Sequence, residues 1–440
     1  MNEKQFLEDM KRLIEIPSVR DLSTAEEQAP FGKHIREVFD VFREIAEREG
    51  MKVEDTDGYA ISAQIGEGED YIGVLGHLDV VEAGDIALWN TNPYQLNLQE
   101  DMLYGRGVND DKGPLLAALY AMIRIKKENK KLRYPIRLIA GGAEETTWEC
   151  MEEYFKNHRQ PICGFSPDGN FPIVNGEKGI LQIRFIFPEI PHMTFKSGER
   201  LNFVCDNLEV EIDNTDIFNS SKADTISRNK NGVQLHYIGK RSLSRNPQRG
   251  DNAIFKFVKD YVSKEQKELP SVIKMVNEQF LDDFYGKKNG LYSEDEQMGH
   301  GSVCLMSLNS IAEGIELCVD IRYVKSVTKK ELIKRLEKIG EMYGGKLEII
   351  KHKKLLYVDE KSHLIKSLQK AYKAVMHEDA ELFTKGGASY ARVLEQGVAF
   401  GATFPDEDPH PHMPNECMPL SSLIKAYEIY YASLLELACK

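Results

Sequence analysis

YIGVLGHLD (71–79), LLAALYAMIRIK (115–126) and IRLIAGGAEE (136–145) decide the fold. The first and third open on short apolar runs of strand length, and the second carries apolar side chains through a helical period. Strand, helix, strand in that order implies parallel neighbours with helices laid over them. Upstream, Phe6, Met10, Leu13 and Ile14 fall at helical spacing until Ile16-Pro17 closes the element, and a longer helical pattern covers 27–48. Downstream, helix 148–157 and the apolar run 162–165 continue the alternation. The class is α/β, a mostly parallel sheet with helices on both faces.

After about residue 176 the pattern changes to half-buried strands, at 181–185 and 208–212, followed by helix 252–262, strand 315–321, helix 329–343 and strand 346–350. That order suits a smaller α+β body inserted into the first. A helix then starts at Ser362, followed by the turn Lys385-Gly386-Gly387 and the strand Val398-Ala399-Phe400. The expected division is 1–176 with 357–440 for one body and 177–356 for the insertion, with a ligand-sized cleft between them.

The chain has 440 residues, beyond the usual size of one domain, with 42% apolar and 29% charged residues, which excludes a disordered or disulfide-stapled chain. Its net charge of −13, with no compensating basic patch, argues against nucleic acid and anionic membranes as partners. Seven scattered cysteines without a C-x-x-C spacing read as buried thiols of a reducing compartment. The charged amphipathic start, MNEKQFLEDMKRLIEI, is unlike a signal peptide, and no apolar run approaches a membrane span, so a cytoplasmic location is expected.

Polar residues recur where the strands end. His77 and Asp79 follow YIGVLG, Asp110-Asp111 follow Gly105-Arg106-Gly107, Glu144-Glu145 follow IRLIAGGA, and Asp168 follows ICGFSP. Ligands of open α/β sheets sit outside the carboxyl ends of strands, so these groups are placed to converge. Each has a plainer explanation. A lone histidine after a strand more often satisfies a hydrogen bond than binds a metal, and acidic pairs before helices serve as caps or favour the helix dipole. The joint recurrence lifts the functional reading above those explanations. If His412 of His410-Pro411-His412 joins His77, the set becomes two imidazoles and several carboxylates, which suits zinc or manganese and lacks the thiolates of a structural zinc site. Three ligating carboxylates against two divalent ions leave one positive charge for a hydroxide, the arithmetic of a two-metal hydrolase.

GHLDVV (76–81), GRGVNDDKGP (105–114), EETTW (144–148), FSPDGNFP (165–172) and HMPNE (412–416) resemble, in order and spacing, the co-catalytic-zinc aminoacylase/carboxypeptidase superfamily, and within it bacterial Xaa-His, carnosinase-like dipeptidases. The resemblance implies that Asp110 bridges two metals, Zn²⁺ or Mn²⁺, with Glu145 and His412 completing one ion and His77 and Asp168 the other. It implies Glu144 as general base, Asp79 as the group that orients His77, and a cis Asp110-Asp111 peptide. It also makes the first body the catalytic domain and the insertion a lid. SGERLNFV (197–204) maps a substrate-reaching asparagine to Asn202, VDIRY (319–323) maps a carboxylate-binding arginine to Arg322, and Gly386-Gly387 resembles the turn where backbone approaches substrate. A guanidinium suits a terminal carboxylate because its fork pairs bidentately.

One departure stands out. The lid's usual histidine falls at Leu243 in Gly239-Lys240-Arg241-Ser242-Leu243-Ser244-Arg245. Losing one oxyanion donor costs about 10²–10³ in rate, and His236, Arg241 and Arg245 are the nearby polar substitutes. The leading expectation is a dipeptide-hydrolysing metalloenzyme, a monomer in preference to a dimer. The rivals are an N-acyl amino acid amidohydrolase and a metal-bearing binding protein whose catalysis is impaired at Leu243.

Overall fold

The strand Ile72–His77 lies inside a nine-stranded sheet, flanked in parallel by Ile136–Gly141 on one side and Cys163–Ser166 on the other, with Gly397–Ala399 parallel to Cys163–Ser166. Antiparallel strands flank this parallel set: Ala60–Ile65 and Lys52–Thr56 lie beyond Ile136–Gly141, and Ile173–Glu177 lies beyond Gly397–Ala399, followed by Leu356–Tyr357 at that end of the sheet. Two short contacts show how the faces are covered. A Cβ at Gly76 would meet Leu115 of the helix Lys112–Lys127, whereas one at Gly141, the register partner of His77, would meet Cys150 of the helix Glu149–Asn157. Adjacent strand residues point to opposite faces, so these two helices lie on opposite sides of the sheet. The mostly parallel sheet with helices on both faces therefore stands as read.

This structure is a computed structural model and describes residues 1–198, 202–213, 221–229, 232–264 and 268–439. The chain forms two compact units, Met1–Gly176 with Leu356–Phe383 and Ser389–Lys440, and Glu177–Leu355 with Thr384–Ala388. Each has its own hydrophobic core. Thr384–Ala388, which carries the Gly386-Gly387 turn, belongs to the second unit although it sits in the returning chain.

Two elements differ from the sequence pattern in the first unit. The second helix starts at Lys33, not 27, because Gly32 adopts φ 103° and packs where a Cβ would lie 2.4 Å from the Asp21 carbonyl oxygen. A long C-terminal helix, Leu420–Ala438, adds to the elements read from sequence; it packs on Lys112–Lys127 and His363–Met376. The latter is capped by Ser362, whose hydroxyl accepts the Ile365 N–H.

The second unit holds two four-stranded antiparallel sheets. One runs Ser302–Ile311, Gly314–Tyr323, Gly179–Phe187, Lys346–Lys353, and the other Met193–Ser197, Asn207–Ile212, Gly232–Ile238, Thr225–Asn229. The helix Lys329–Tyr343 opens on a reciprocal cap between Thr328 and Glu331 and ends at Gly344 with φ 72°. Among the described residues, no helix is long and apolar enough to cross a membrane.

The tightest inter-strand packing in the first sheet is at Gly164, where a Cβ would lie 2.2 Å from the Gly73 carbonyl oxygen on the paired strand. Gly164→Ala should lower unfolding free energy by about 1–3 kcal/mol, the usual range for overpacking a rigid core. Urea denaturation checks this, and an unchanged midpoint would contradict it.

Candidate metal centre

The parallel strands deliver their polar residues to one sheet edge. His77 is the last residue of its strand and fully buried; Glu144 and Glu145 follow Ile136–Gly141, and Asp168 follows Cys163–Ser166. The loops are tied together by backbone. Leu78 N–H donates to the Gly141 carbonyl at 2.9 Å. Both oxygens of the Asp79 carboxylate are engaged, Oδ1 accepting the Glu144 N–H and Oδ2 the Glu145 N–H, each at 3.0 Å.

His77 Nδ1 lies 2.9 Å from the Asp79 backbone carbonyl, an oxygen that can only accept, so Nδ1 donates there and Nε2 is the nitrogen turned toward Asp110. That Nε2 lies 3.0 Å from Asp110 Oδ1. The other Asp110 oxygen, Oδ2, lies 2.9 Å from His412 Nε2, which is in turn 3.0 Å from Glu145 Oε2. One ligand atom from each of His77, Asp110 and Glu145 falls within a 4.8 Å group. Asp168 is close enough for its charge to bear on Glu144 and Asp111. Asp79 faces His77 Nδ1 with both its carbonyl, at 2.9 Å, and its carboxylate, at 3.5 Å, and the same carboxylate holds the Glu144-Glu145 backbone.

The loop bearing Asp110 is built around Glu416, which sequence reasoning did not single out. This fully buried carboxylate accepts the N–H groups of Gly107, Asn109 and Asp110 at 2.9–3.1 Å and pairs with Arg106 Nη1 at 2.6 Å. Arg106 is itself buried and lies over the Trp89 ring at 5.2 Å. The Asp110-Asp111 peptide is cis. Asp111 is buried below the pair, its Oδ2 accepting the His77 N–H at 3.2 Å. The signal was present, because Arg106 and Glu416 both sit inside quoted motifs, but each reads alone as an ordinary surface charge.

The electrostatics of this edge call for positive charge. Burial pushes the Glu144 carboxyl well above its usual range; Asp168, Glu145 and Asp110 push the same way and His77 opposes them. Glu145 is raised by burial and by Asp110. Asp110 and Glu145 push His412 up to about 11 through the contacts just given. Imidazole nitrogens and carboxylate oxygens crowded at these distances, with Asp110 offering one oxygen to each imidazole, fit divalent cations of the zinc or manganese type. Glu144 has no hydrogen bond or ion pair to its carboxylate among the described residues, so that group stays available for a proton.

The remaining expected residues lie in the second unit and share one network. Arg322 donates through Nε and Nη2 to Asp320 at 2.7 and 3.0 Å, through Nη2 to Ser244 Oγ at 3.3 Å, and through Nη1 to the Gly386 carbonyl at 2.9 Å. Gln182 Nε2 joins Asp320 to Asn202, donating to Asp320 Oδ2 at 2.8 Å and to Asn202 Oδ1 at 2.7 Å. Gly387 follows in the same turn, with Arg245 alongside. Of the substitutes considered for the missing histidine, His236 pairs with Asn207 and Arg241 with Asp206, while Leu243 is 37% exposed.

Three comparisons with known proteins bear on this arrangement. The sequence profile of Peptidase family M20/M25/M40 matches residues 73–436. YtjP of Bacillus subtilis (strain 168), a dipeptidase by name, is 33% identical over 462 residues, covering 99% of this chain and 97% of its own. Among solved structures, aminoacylhistidine dipeptidase from Vibrio alginolyticus superposes with a TM-score of 0.61 at 11% identity, covering 98% of this chain and 96% of that one. The Bacillus subtilis YXEP protein, described as a dinuclear metal binding peptidase from the M20 family, gives 0.53 at 13% identity, covering 99% and 98%. At these identities the two structures speak for the fold.

Glu416 carries a prediction of its own. Glu416→Gln leaves Arg106 buried without its counter-charge, and breaking such a pair costs about 3–5 kcal/mol. Chemical denaturation should show a loss of that order, and a loss below about 1 kcal/mol would mean that the loop does not depend on this carboxylate.

Proposed function

We propose, from the premise that the chain belongs to peptidase family M20/M25/M40, that it hydrolyses the peptide bond of dipeptides with two divalent cations, Zn²⁺ or Mn²⁺, held at the sheet edge of the first unit. The observation that carries this reading is Asp110, whose two oxygens face two different imidazoles at 3.0 and 2.9 Å. In this reading His77 and Asp168 would hold one ion and Glu145 and His412 the other, with Asp110 available as a ligand to each. Bound there, the cations would acidify a water and polarise the scissile carbonyl.

The chain's own groups supply the rest. Glu144, with its carboxylate uncommitted and its backbone fixed by Asp79, takes a proton from the attacking water as the new C–O bond forms. The same carboxyl then gives that proton to the amine nitrogen as the C–N bond breaks, which returns Glu144 to its starting state. Asp79 sets the His77 tautomer through its carbonyl, so Nε2 is ready as a ligand. Arg322, held by Asp320, grips the substrate's terminal carboxylate, with Asn202 and the Gly386-Gly387 backbone beside it. The first unit is then the catalytic domain and the second the lid. The dipeptidase name of YtjP, at 33% identity across nearly the full chain, supports a dipeptide as the substrate.

Two variants test the reading. Glu144→Gln should lower kcat on any dipeptide by about 10²–10⁴, the range for a lost general base, while elemental analysis still finds about two ions per chain. Near-normal turnover in that variant would remove Glu144 from the proton transfer, and no turnover of any dipeptide by the metal-loaded wild type would sink the assignment. Arg322→Ala should raise KM for dipeptides by about 10–100-fold, as expected for losing a charged hydrogen-bond pair, and leave KM for C-terminally amidated dipeptides nearly unchanged. Equal effects on both classes would show that Arg322 does not meet the carboxylate.

A further inference from the structure

Residues 13–18, where the first helix, Glu3–Ile14, runs out, have no part in the proposed chemistry, yet they hold two loops of the metal centre. Ser18 is fully buried, and its hydroxyl donates to the Leu78 carbonyl at 2.6 Å. Its own carbonyl accepts the Val80 N–H at 3.0 Å. These bonds fall on the two peptides that flank Asp79. A peptide is planar, so a plane held at one group has its other group fixed in direction. The Val80 N–H shares its plane with the Asp79 carbonyl, which meets His77 Nδ1 at 2.9 Å. The Leu78 carbonyl shares its plane with the Asp79 N–H. With both planes held, the Asp79 side chain leaves its Cα in one direction, toward the Glu144 and Glu145 N–H groups that its carboxylate accepts at 3.0 Å each.

The same segment reaches the Asp110 loop. Lys112, buried at the start of the helix Lys112–Lys127, donates through Nζ to the Leu13 and Ile16 carbonyls, both at 2.8 Å. Leu13 stands in the last turn of its helix, where the dipole favours a cation. The Lys112 ammonium is also within reach of the charges of Glu416 and Asp79, the two carboxylates that hold the metal-centre loops. Residues 13–18 are thus bonded at one end to the helix start just past Asp110 and at the other to the turn just past His77. Between these anchors lies the 3.0 Å approach of His77 Nε2 to Asp110 Oδ1. The orientation of a metal ligand depends on the groups bonded behind it, and removing one such group typically costs about 10–100-fold in metal affinity.

We infer that Ser18 is a positioning residue of the metal centre: by holding both peptides of Asp79 it keeps His77 turned toward Asp110, and so sets the affinity for the ion that those two residues would share. This rests on the reading of His77 and Asp110 as ligands of one cation.

Zinc titration of the full-length protein in competition with a chelator, on wild type and Ser18→Ala, tests it without turnover. Wild type should take up two ions. In Ser18→Ala one of them should bind about 10–100-fold more weakly and the other within about threefold of wild type, because His412 belongs to another loop. A general loosening of the fold would weaken both ions alike. Equal losses at the two ions, or no loss at either, would therefore overturn the inference. The two readings fail separately. If wild type and Ser18→Ala hold two ions equally well, the two-metal reading stands and the role of Ser18 falls. If wild type holds a single ion and Ser18→Ala weakens it about tenfold or more, the two-metal reading falls and the role of Ser18 stands. Wild type that binds no zinc overturns both.

Discussion

The first unit is organised around one electrostatic problem, the holding of Asp110, Glu144, Glu145 and Asp168 at one edge of a sheet. Like charges a few ångströms apart in a partly buried setting repel by several kcal/mol and would swing away if free to do so. Here the backbone forbids it. Glu416 fastens the Asp110 loop through three N–H groups and Arg106, and Asp79 fastens the Glu144-Glu145 loop through two more. Both fastening groups are themselves carboxylates, buried and fully hydrogen-bonded, so their cost is met by donors that the loops would otherwise leave unpaired. The acidic cluster thus persists as a fixed demand for positive charge.

The second unit presents the opposite sign. Arg322, held by Asp320, reaches the Gly386 carbonyl, and Arg245 runs beside the same Gly386-Gly387 turn. In the proposed chemistry the two arrangements divide the labour: carboxylates attract the cations that activate water, and guanidiniums attract the anionic end of the substrate. Their opposite signs explain why the chain's net charge of −13 says little about either site, since each depends on a handful of side chains and not on the sum.

Much of this was legible in the sequence because a parallel sheet forces strand ends to one edge. Once Ile72–His77, Ile136–Gly141 and Cys163–Ser166 are read as parallel strands, the residues that follow them must meet. His412 was different: no local pattern separates it from His410, and only the resemblance pointed to it. Glu416 escaped because its burial depends on Arg106, 310 residues earlier, and such a pairing leaves no periodic trace. The C-terminal helix Leu420–Ala438 buries residues around most of its circumference, which weakens the amphipathic signal. The start of the second helix moved for a local reason, the contact between Gly32 and the Asp21 carbonyl.

The central claim is that Asp110 stands between two cations. A crystal of the zinc-loaded protein, measured on both sides of the zinc absorption edge, tests it most directly. The account predicts two anomalous peaks, one within bonding distance of His77 and Asp168, the other of Glu145 and His412, and both of Asp110. A single peak that leaves one of the imidazoles without a metal, or peaks remote from Asp110, would contradict it.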